Sequence, residues 1–459
     1  MIETLTNFRG ILGTSERASR LVIVAIVALV AVGTWYALTF DRLLLAAGAV
    51  AGLLALLVSL RWPLLPLYAF AALIPIESVV QFGDLGTISR IAGILFMLAW
   101  AVPRIGRLTL AATPAAGWLL VAWATLSLGW ALDSSVTALH LATLIQLFAV
   151  SVFVADVVVQ RPDVVRRLLW AYSLSATVTA GIGVGELLTN AAAQGQRIAA
   201  FSDQDVAQFA AILLPALVFS LFELVNGRAL IVSSVVLLTS TAGIVLSGTR
   251  GAWISSIVVF GIFILPELQP RRRLAAVVTA VFILLLTFQL PGVTDFIGKR
   301  ADLALRTGGA GRTDVWAVGI TIFQSSPLIG VGFENFPVAY TPERVDASSV
   351  ASLTSSGFAS HSIIVGTLAE LGIIGAIVTA AYLLPLLYRR GWGQDATMIR
   401  AALASLLIAG LFLDVLNRKQ VWLLIGIAAG LLYLSRRHRS VDAPTRADGG
   451  KGARTDLGP

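Results

Sequence analysis

Five residues in this chain pair charge-bearing or proton-transferring side chains with local sequence that favours contact with a ligand. Arg250 lies in LSGTRGAW, between Gly248 and Gly251, where two apolar runs meet. Flanking glycines let a ligand approach the backbone closely, and a guanidinium at a lipid boundary acts through a low dielectric that strengthens its charge. Arg312, in GGAGRTDVW, follows a glycine-rich stretch, and its guanidinium can fork onto phosphate oxygens. Arg197, in QGQRIAAFSDQD, offers the same chemistry. His361 opens the apolar run HSIIVGTLAELGIIG and suits a base or hydrogen-bond donor near neutral pH. Glu370 is an acid within that run, able to pair with an arginine of the set or to cap a polar cluster between helices. Each residue also has a plainer reading. Arg250 can be a topological anchor or headgroup contact, Arg312 a partner of Asp314, Arg197 a charge neutralised by Asp203 or Asp205, and His361 a polar cap.

Whether these residues meet depends on the elements that carry them. Of 459 residues, 57% are hydrophobic and 13% charged, against roughly a quarter charged in a soluble domain. Lipid must solvate most of that apolar surface. Fourteen apolar runs recur, from 21–40, 43–60, 62–76 and 88–102 through to 361–388, 399–413 and 419–434. Several are short, so the expectation is an all-α integral membrane protein with about 12–14 transmembrane helices. The first run exceeds a signal-peptide core of roughly 7–15 residues and reads as a retained helix. With the N-terminus inside, two thirds of the 33 lysines and arginines fall on inner segments. Several of the outer ones, Lys299, Arg300, Arg306, Arg312 and Arg344, sit in one long loop that the positive-inside rule discounts. Both termini are therefore expected in the cytoplasm.

The chain divides accordingly. Residues 1–20 form a cytoplasmic segment, 21–290 a helical region with an outer loop at 188–205, 291–360 a long outer loop, 361–434 the last helices, and 435–459 a basic, disordered tail. Within the long loop Trp316, Ile320 and Phe323 fall on one face of a short amphipathic helix. Pro327, Gly330, Gly332 and Pro337 then mark turns.

On this topology Arg197, Arg250, Arg312 and His361 all lie on the outer face. Three arginines and a histidine without a carboxylate cage point to a metal-free site for a phosphate-bearing ligand. The chain has no cysteine, which excludes disulfides, thiolate metal sites and a cysteine nucleophile, and its three histidines are too scattered for a metal centre. His140 and His438 read as structural, one near an outer helix end and one in the basic tail. The net charge of +8 is spread over loops and ends, so topology explains it better than nucleic-acid binding. Few acids lie deep in the runs, which argues against an ion-coupled transporter.

At these residues the sequence resembles the O-antigen ligase and O-antigen polymerase superfamily of bacterial envelope enzymes, over about residues 190–385. SGTRGAWI is similar to that family's serine/threonine–arginine–glycine turn at the start of a helix. GRTDVWAVGITIFQSSPLIGVGFENF is similar to its arginine, tryptophan, then Pro-Leu-hydrophobic-Gly-hydrophobic-Gly segment. His361 and Ser362, then nine residues, then Gly372 and Gly375, match a ligase-type pattern. RIAAFSDQDVAQF resembles an arginine-bearing segment that often reads Asp-Pro-Asn in relatives and here reads Asp203-Gln204-Asp205. The resemblance implies a helical fold like that of the lipid-linked-sugar glycosyltransferases, in the bacterial inner membrane, with the active site on the periplasmic or extracellular side. It implies a glycan donor on undecaprenyl diphosphate and, as acceptor, lipid A-core or a second glycan chain. Arg250 and Arg312 would bind the diphosphate, His361 would act on the acceptor hydroxyl as catalytic residue, and Arg197 and Glu370 would contact substrate. Ligase and polymerase both remain open at this point, with an inorganic-carbon transporter as a distant alternative.

Overall fold

The computed structural model describes residues 43–77, 87–186, 199–200, 204–289, 293–295, 297–299, 312–341, 358–387 and 393–442. The first apolar run, Arg197 and His438's side chain lie outside the described residues. Among those described there is no β-strand, and the chain is an all-α membrane protein. The helices are α1 (Leu43–Arg61), α2 (Leu65–Leu73), α3 (Ile88–Ala101), α4 (Ala115–Leu126), α5 (Ser134–Gln160), α6 (Val164–Glu186), α7 (Val206–Val225), α8 (Leu230–Leu246), α9 (Arg250–Val259), α10 (Pro270–Phe288), α11 (Arg312–Ser325), α12 (Phe336–Ala339), α13 (Ile363–Leu387), α14 (Gln394–Ala409) and α15 (Lys419–Asp442). Single π and 3₁₀ turns extend α9 to Glu267.

Five of these spans are long and apolar enough to cross a membrane, or seven if two bent pairs count as one span each. Among the described residues, the other apolar runs form bent or shorter helices. The runs 43–60 and 62–76 become one pair bent by 117°, turning at Trp62 and Pro63, where a proline interrupts the hydrogen-bond ladder. Other runs form shorter helices, among them Leu230–Leu246 and Ala115–Gly129, and the short α14 is shielded by protein along most of its length.

Small residues and caps place these helices. Gly426 and Gly430 of α15 lie so close to α5 that an added Cβ would stand 2.6 Å from the Ser151 carbonyl oxygen and 2.8 Å from that of Ala155. This small-xxx-small spacing lets two backbones meet where lipid supplies no hydrophobic drive between helices. Asp133 caps α5 by accepting from the Ser135 and Val136 amides, and Asp205 caps α7 through Ala207 and Gln208. Polar links sort by helix end. Arg166 pairs with Glu223, Arg400 with Glu267, and Trp100 donates to Asp156, all at ends the charge pattern assigns inward. Lys419 pairs with Glu77 and Arg418 donates to Gln208 at the opposite ends.

The amphipathic helix expected around Trp316 forms as α11, but its packed face is different. Val315, Val318 and Ile322 are buried against Phe336, Tyr340 and Ala369, whereas Ile320 is 54% exposed. The close approach of Gly319 to Val365 sets this rotation: an added Cβ there would lie 2.3 Å from the valine.

The feature that positions the site is a break in α13. Gly372 has φ +68° and ψ −170°, so the helix stops and restarts. The carbonyls of Ala369 and Glu370 instead accept from Val331 (3.0 Å) and Gly332 (2.9 Å), and the amides of Ile373 and Ile374 donate to Pro327 (2.9 Å) and Leu328 (3.3 Å). Unpaired backbone groups at membrane depth cost several kcal/mol each, so the Pro327–Gly332 segment stands in for the missing turn. The two strands of contact are tight enough that an added Cβ at Gly330 would lie 2.3 Å from the Glu370 carbonyl, and one at Gly372 2.3 Å from that of Leu328. Gly330 is also left-handed, at φ +71°. The Pro-Leu-Ile-Gly-Val-Gly and Gly-X-X-Gly motifs are thus two halves of one joint.

Gly330→Ala and Gly372→Ala are each expected to destabilise the protein, by about 1–2 kcal/mol from the left-handed backbone and more from overlap. Gly181→Ala, with nothing near its added Cβ, should be neutral. Thermal unfolding in detergent checks this, and a Gly330→Ala variant as stable as Gly181→Ala would contradict the joint.

Candidate active site

The joint holds residues 333–337 in place for a polar pocket. Asn335 is fully buried, and its side chain receives the Asp133 amide at 2.7 Å while donating to Thr137 Oγ1 at 2.6 Å and the Phe333 carbonyl at 3.1 Å. Thr137 donates to the same carbonyl, and the Phe333 amide meets Ser127 Oγ. The turn is therefore fastened to α5 on one side and α13 on the other. Glu370 completes the fastening: its carboxylate accepts from the amides of Glu334 (3.0 Å) and Phe336 (3.3 Å). The side chain expected to contact substrate already holds the loop.

A cavity of about 50 Å³ opens beside this turn, lined by Glu334, Glu370, Asp414, Ser360, Ser362 and Thr367 among others. That these acids meet was not legible in the sequence. Three acids from three separate segments share one cavity wall. Among the described residues, no group of His, Asp and Glu is arranged to hold a metal ion.

Asp414 comes from the turn between α14 and α15 and grips the turn that carries His361. Its carboxylate accepts from Ser360 Oγ at 2.7 Å and from the His361 amide at 3.2 Å. The Ile363 amide meets the Gly410 carbonyl at 2.7 Å in the same region. His361 itself has φ +49°, a left-handed conformation that costs an L-residue roughly 1–2 kcal/mol and persists only where its surroundings enforce it. Ser360 and Ser362 form the cavity wall on either side of it. Among the described residues the imidazole makes no hydrogen bond or ion pair.

Arg418 closes the same turn, donating to Gln208 Oε1 at 2.6 Å and to the Asp414 carbonyl at 3.3 Å. Burial lowers its pKa, and Asp205, Asp414, Glu77 and Glu334 push it back up; an arginine remains cationic throughout. Burial raises the Glu334 carboxyl above the ordinary carboxylate value; His140 and Arg418 oppose that shift and Asp414 reinforces it.

Arg250 approaches the 410–418 turn from its other side. It is the first residue of α9, half-buried, and pairs with no carboxylate among the described residues. Gly251 lies against Phe412, where an added Cβ would stand 3.0 Å from both the phenylalanine Cβ and the ring atom Cδ2. The Phe412 ring in turn packs on Trp316 of α11, with centroids 6.2 Å apart. Arg312 begins α11, though its side chain lies outside the described residues. Two helix N-termini, each opened by an arginine, thus converge near Phe412, and unpaired amides at a helix start favour anions.

The structure therefore gathers Arg250, the start of α11, the His361 turn and Glu370 around one short turn. Sequence reasoning missed Glu334, Asp414 and Arg418. A signal existed: an acid and a cation in a turn only a few residues long between two apolar runs are costly there and mark function by default.

Residues 235–380 match the family model described as O-antigen ligase. The matched segment contains Arg250, Arg312, Glu334, His361 and Glu370 and ends before Asp414 and Arg418. No curated protein matches the chain.

Asp414→Ala is expected to release the His361 turn while leaving the α13 joint intact. Losing hydrogen bonds to a charged acceptor costs roughly 1.5–3 kcal/mol, so amide exchange in 359–364 should quicken tenfold or more, with 326–337 unchanged. Unaltered exchange in 359–364 would show that Asp414 does not hold the turn.

Proposed function

We propose that the chain, which over residues 235–380 matches the O-antigen ligase family model, moves a glycan from undecaprenyl diphosphate to an acceptor hydroxyl, in the manner of a ligase acting on lipid A-core. The observation that carries this reading is the convergence of Arg250 and the α11 N-terminus on one side of the 410–418 turn, with the Asp414-held His361 turn on the other.

A long apolar groove supports it. About 420 Å³ of space runs between α13, α14 and the end of α9, lined by Phe263, Thr379, Leu383, Leu407 and Leu411. Ile363 and Thr367 border both this groove and the polar cavity. An isoprenoid chain lying in the groove would bring its diphosphate up beside Leu411, next to Phe412 and Arg250. The transfer is a displacement at the anomeric carbon. The acceptor oxygen bonds to that carbon, and the bond to the diphosphate oxygen breaks, its electron pair leaving with the lipid diphosphate. Arg250 and Arg312 meet that developing charge, so that guanidinium rather than a metal ion supplies the neutralisation. His361 orients or deprotonates the acceptor hydroxyl. Arg197 is assigned to the diphosphate or glycan on its motif alone. The reaction is placed at the outer face of the bacterial inner membrane, on the positive-inside count.

Reconstituted protein, given lipid-linked repeat-unit oligosaccharide as donor, tests this with two acceptors offered separately. Transfer to lipid A-core is expected, with Arg250→Ala lowering it about 10²–10³-fold and Arg250→Lys, which keeps the charge and loses the fork, by less. Elongation on a second donor molecule alone would make the protein a polymerase. Correctly inserted Arg250→Ala and His361→Ala variants as active as the wild type would overturn the site.

A further inference from the structure

Three carboxylates line the polar cavity, and two of them are already engaged. Glu370 accepts two backbone amides, and Asp414 accepts Ser360 Oγ and the His361 amide. The Glu334 carboxylate accepts no hydrogen bond among the described residues. His140 of α5 faces it, with Nδ1 4.0 Å from Oε2. Among the described residues, three other than glycine have positive φ: Ala229, Glu334 and His361. Ala229 belongs to the turn before α8, at the far ends of the helices. Glu334 lines this cavity, and His361 sits between Ser360 and Ser362, which line it too. Glu334, at φ +58°, is held there by its own amide on Glu370 and by the Asn335 and Phe333 contacts on either side. Strain sustained by so many fastenings, around a carboxylate left open to a cavity, is the pattern of a preorganised reactive group.

Resting on the glycosyl-transfer reading above, we propose that Glu334 is the general base that deprotonates the acceptor hydroxyl, with His140 beside it setting its charge, which leaves His361 the task of orienting that hydroxyl. The hydroxyl proton passes to a Glu334 carboxylate oxygen as the acceptor oxygen bonds to the anomeric carbon. The carbon–oxygen bond to the diphosphate breaks, and its electron pair leaves on the lipid diphosphate. Water takes the proton from Glu334 once product departs. Glycan hydroxyls also have partners along the wall in Ser362 and Thr367.

The charged and titratable groups facing Glu334 are His140 from α5, Glu370 from α13, and Asp414 and Arg418 from the 410–418 turn. The base works unprotonated, so the rate falls on the acid side. Because burial raises the Glu334 carboxyl, that fall should lie above the ordinary carboxylate value of about 4.3. His140 opposes the rise, so removing its charge should move the fall to higher pH.

The experiment is the rate of transfer against pH for reconstituted wild type, Glu334→Gln, Glu334→Asp and His140→Asn, with binding of undecaprenyl diphosphate measured alongside. Glu334→Gln is expected to lower kcat about 10²–10⁴-fold, to erase the acid-side fall and to leave undecaprenyl diphosphate binding unchanged. Glu334→Asp should recover part of the rate, and His140→Asn should displace the fall upward. Wild-type kcat in Glu334→Gln, or a pH profile unmoved in His140→Asn, would overturn the assignment. If Glu334→Gln is active while Arg250→Ala is not, the base falls and the diphosphate site stands. If both are active, the base and the diphosphate site fall together; if the wild type transfers no glycan to either acceptor, the transfer reading itself falls. Should Glu334→Gln fail to fold, the His140→Asn profile decides.

Discussion

The structure turns on backbone groups that a membrane will not leave unpaired. Breaking α13 at Gly372 frees two carbonyls and two amides, and Pro327–Gly332 satisfies all four. An extended segment can lie at that depth only because it lines a protein interior and pairs with a broken helix. Everything polar follows from this joint. It fixes the segment that carries Glu334, and it sets Glu370 where its carboxylate can hold the next two amides of that segment. Trp123 and Trp130 brace it by donating to the Leu371 and Ile329 carbonyls.

On that scaffold, charge divides into two regions on either side of the 410–418 turn. Arg250 and the two helix N-termini lie towards Phe412. The carboxylates of Glu334, Glu370 and Asp414 lie towards the His361 turn. A diphosphate is repelled by the second region and attracted by the first, whereas a neutral hydroxyl needs the second to lose its proton. The apolar groove reaches both, through Leu411 on one side and Ile363 and Thr367 on the other. Separation of anion-binding and proton-accepting groups by one turn is what a displacement with a lipid diphosphate leaving group demands.

Much of this was legible in the sequence, and the limits have physical causes. Apolar runs and charge alternation identify a helical membrane protein because those signals are local. Hydropathy does not register a bend such as that at Trp62 and Pro63, or that a short helix such as α14 is covered by protein, so the shape of individual runs was not legible. Arg250, His361 and Glu370 were found because each is polar in an apolar setting. The role of Glu370 was not, since the amides it holds belong to a segment more than thirty residues away. The glycines of two separate motifs could be matched in sequence, but that they touch is a tertiary fact. Glu334 was hidden for a similar reason: a glutamate in a loop is ordinary until three other segments close around it. The face of α11 was misplaced because Gly319, which lets the helix approach Val365, counts as nothing in a hydrophobic stripe.

The most direct measurement is a structure of the protein with undecaprenyl diphosphate bound in a lipid nanodisc. The account predicts diphosphate density against Arg250 and the start of α11, with the isoprenoid running down the groove past Leu407 and Leu383. Diphosphate density in the cavity of Glu334, Glu370 and Asp414, or an empty groove with the lipid bound elsewhere, would contradict it.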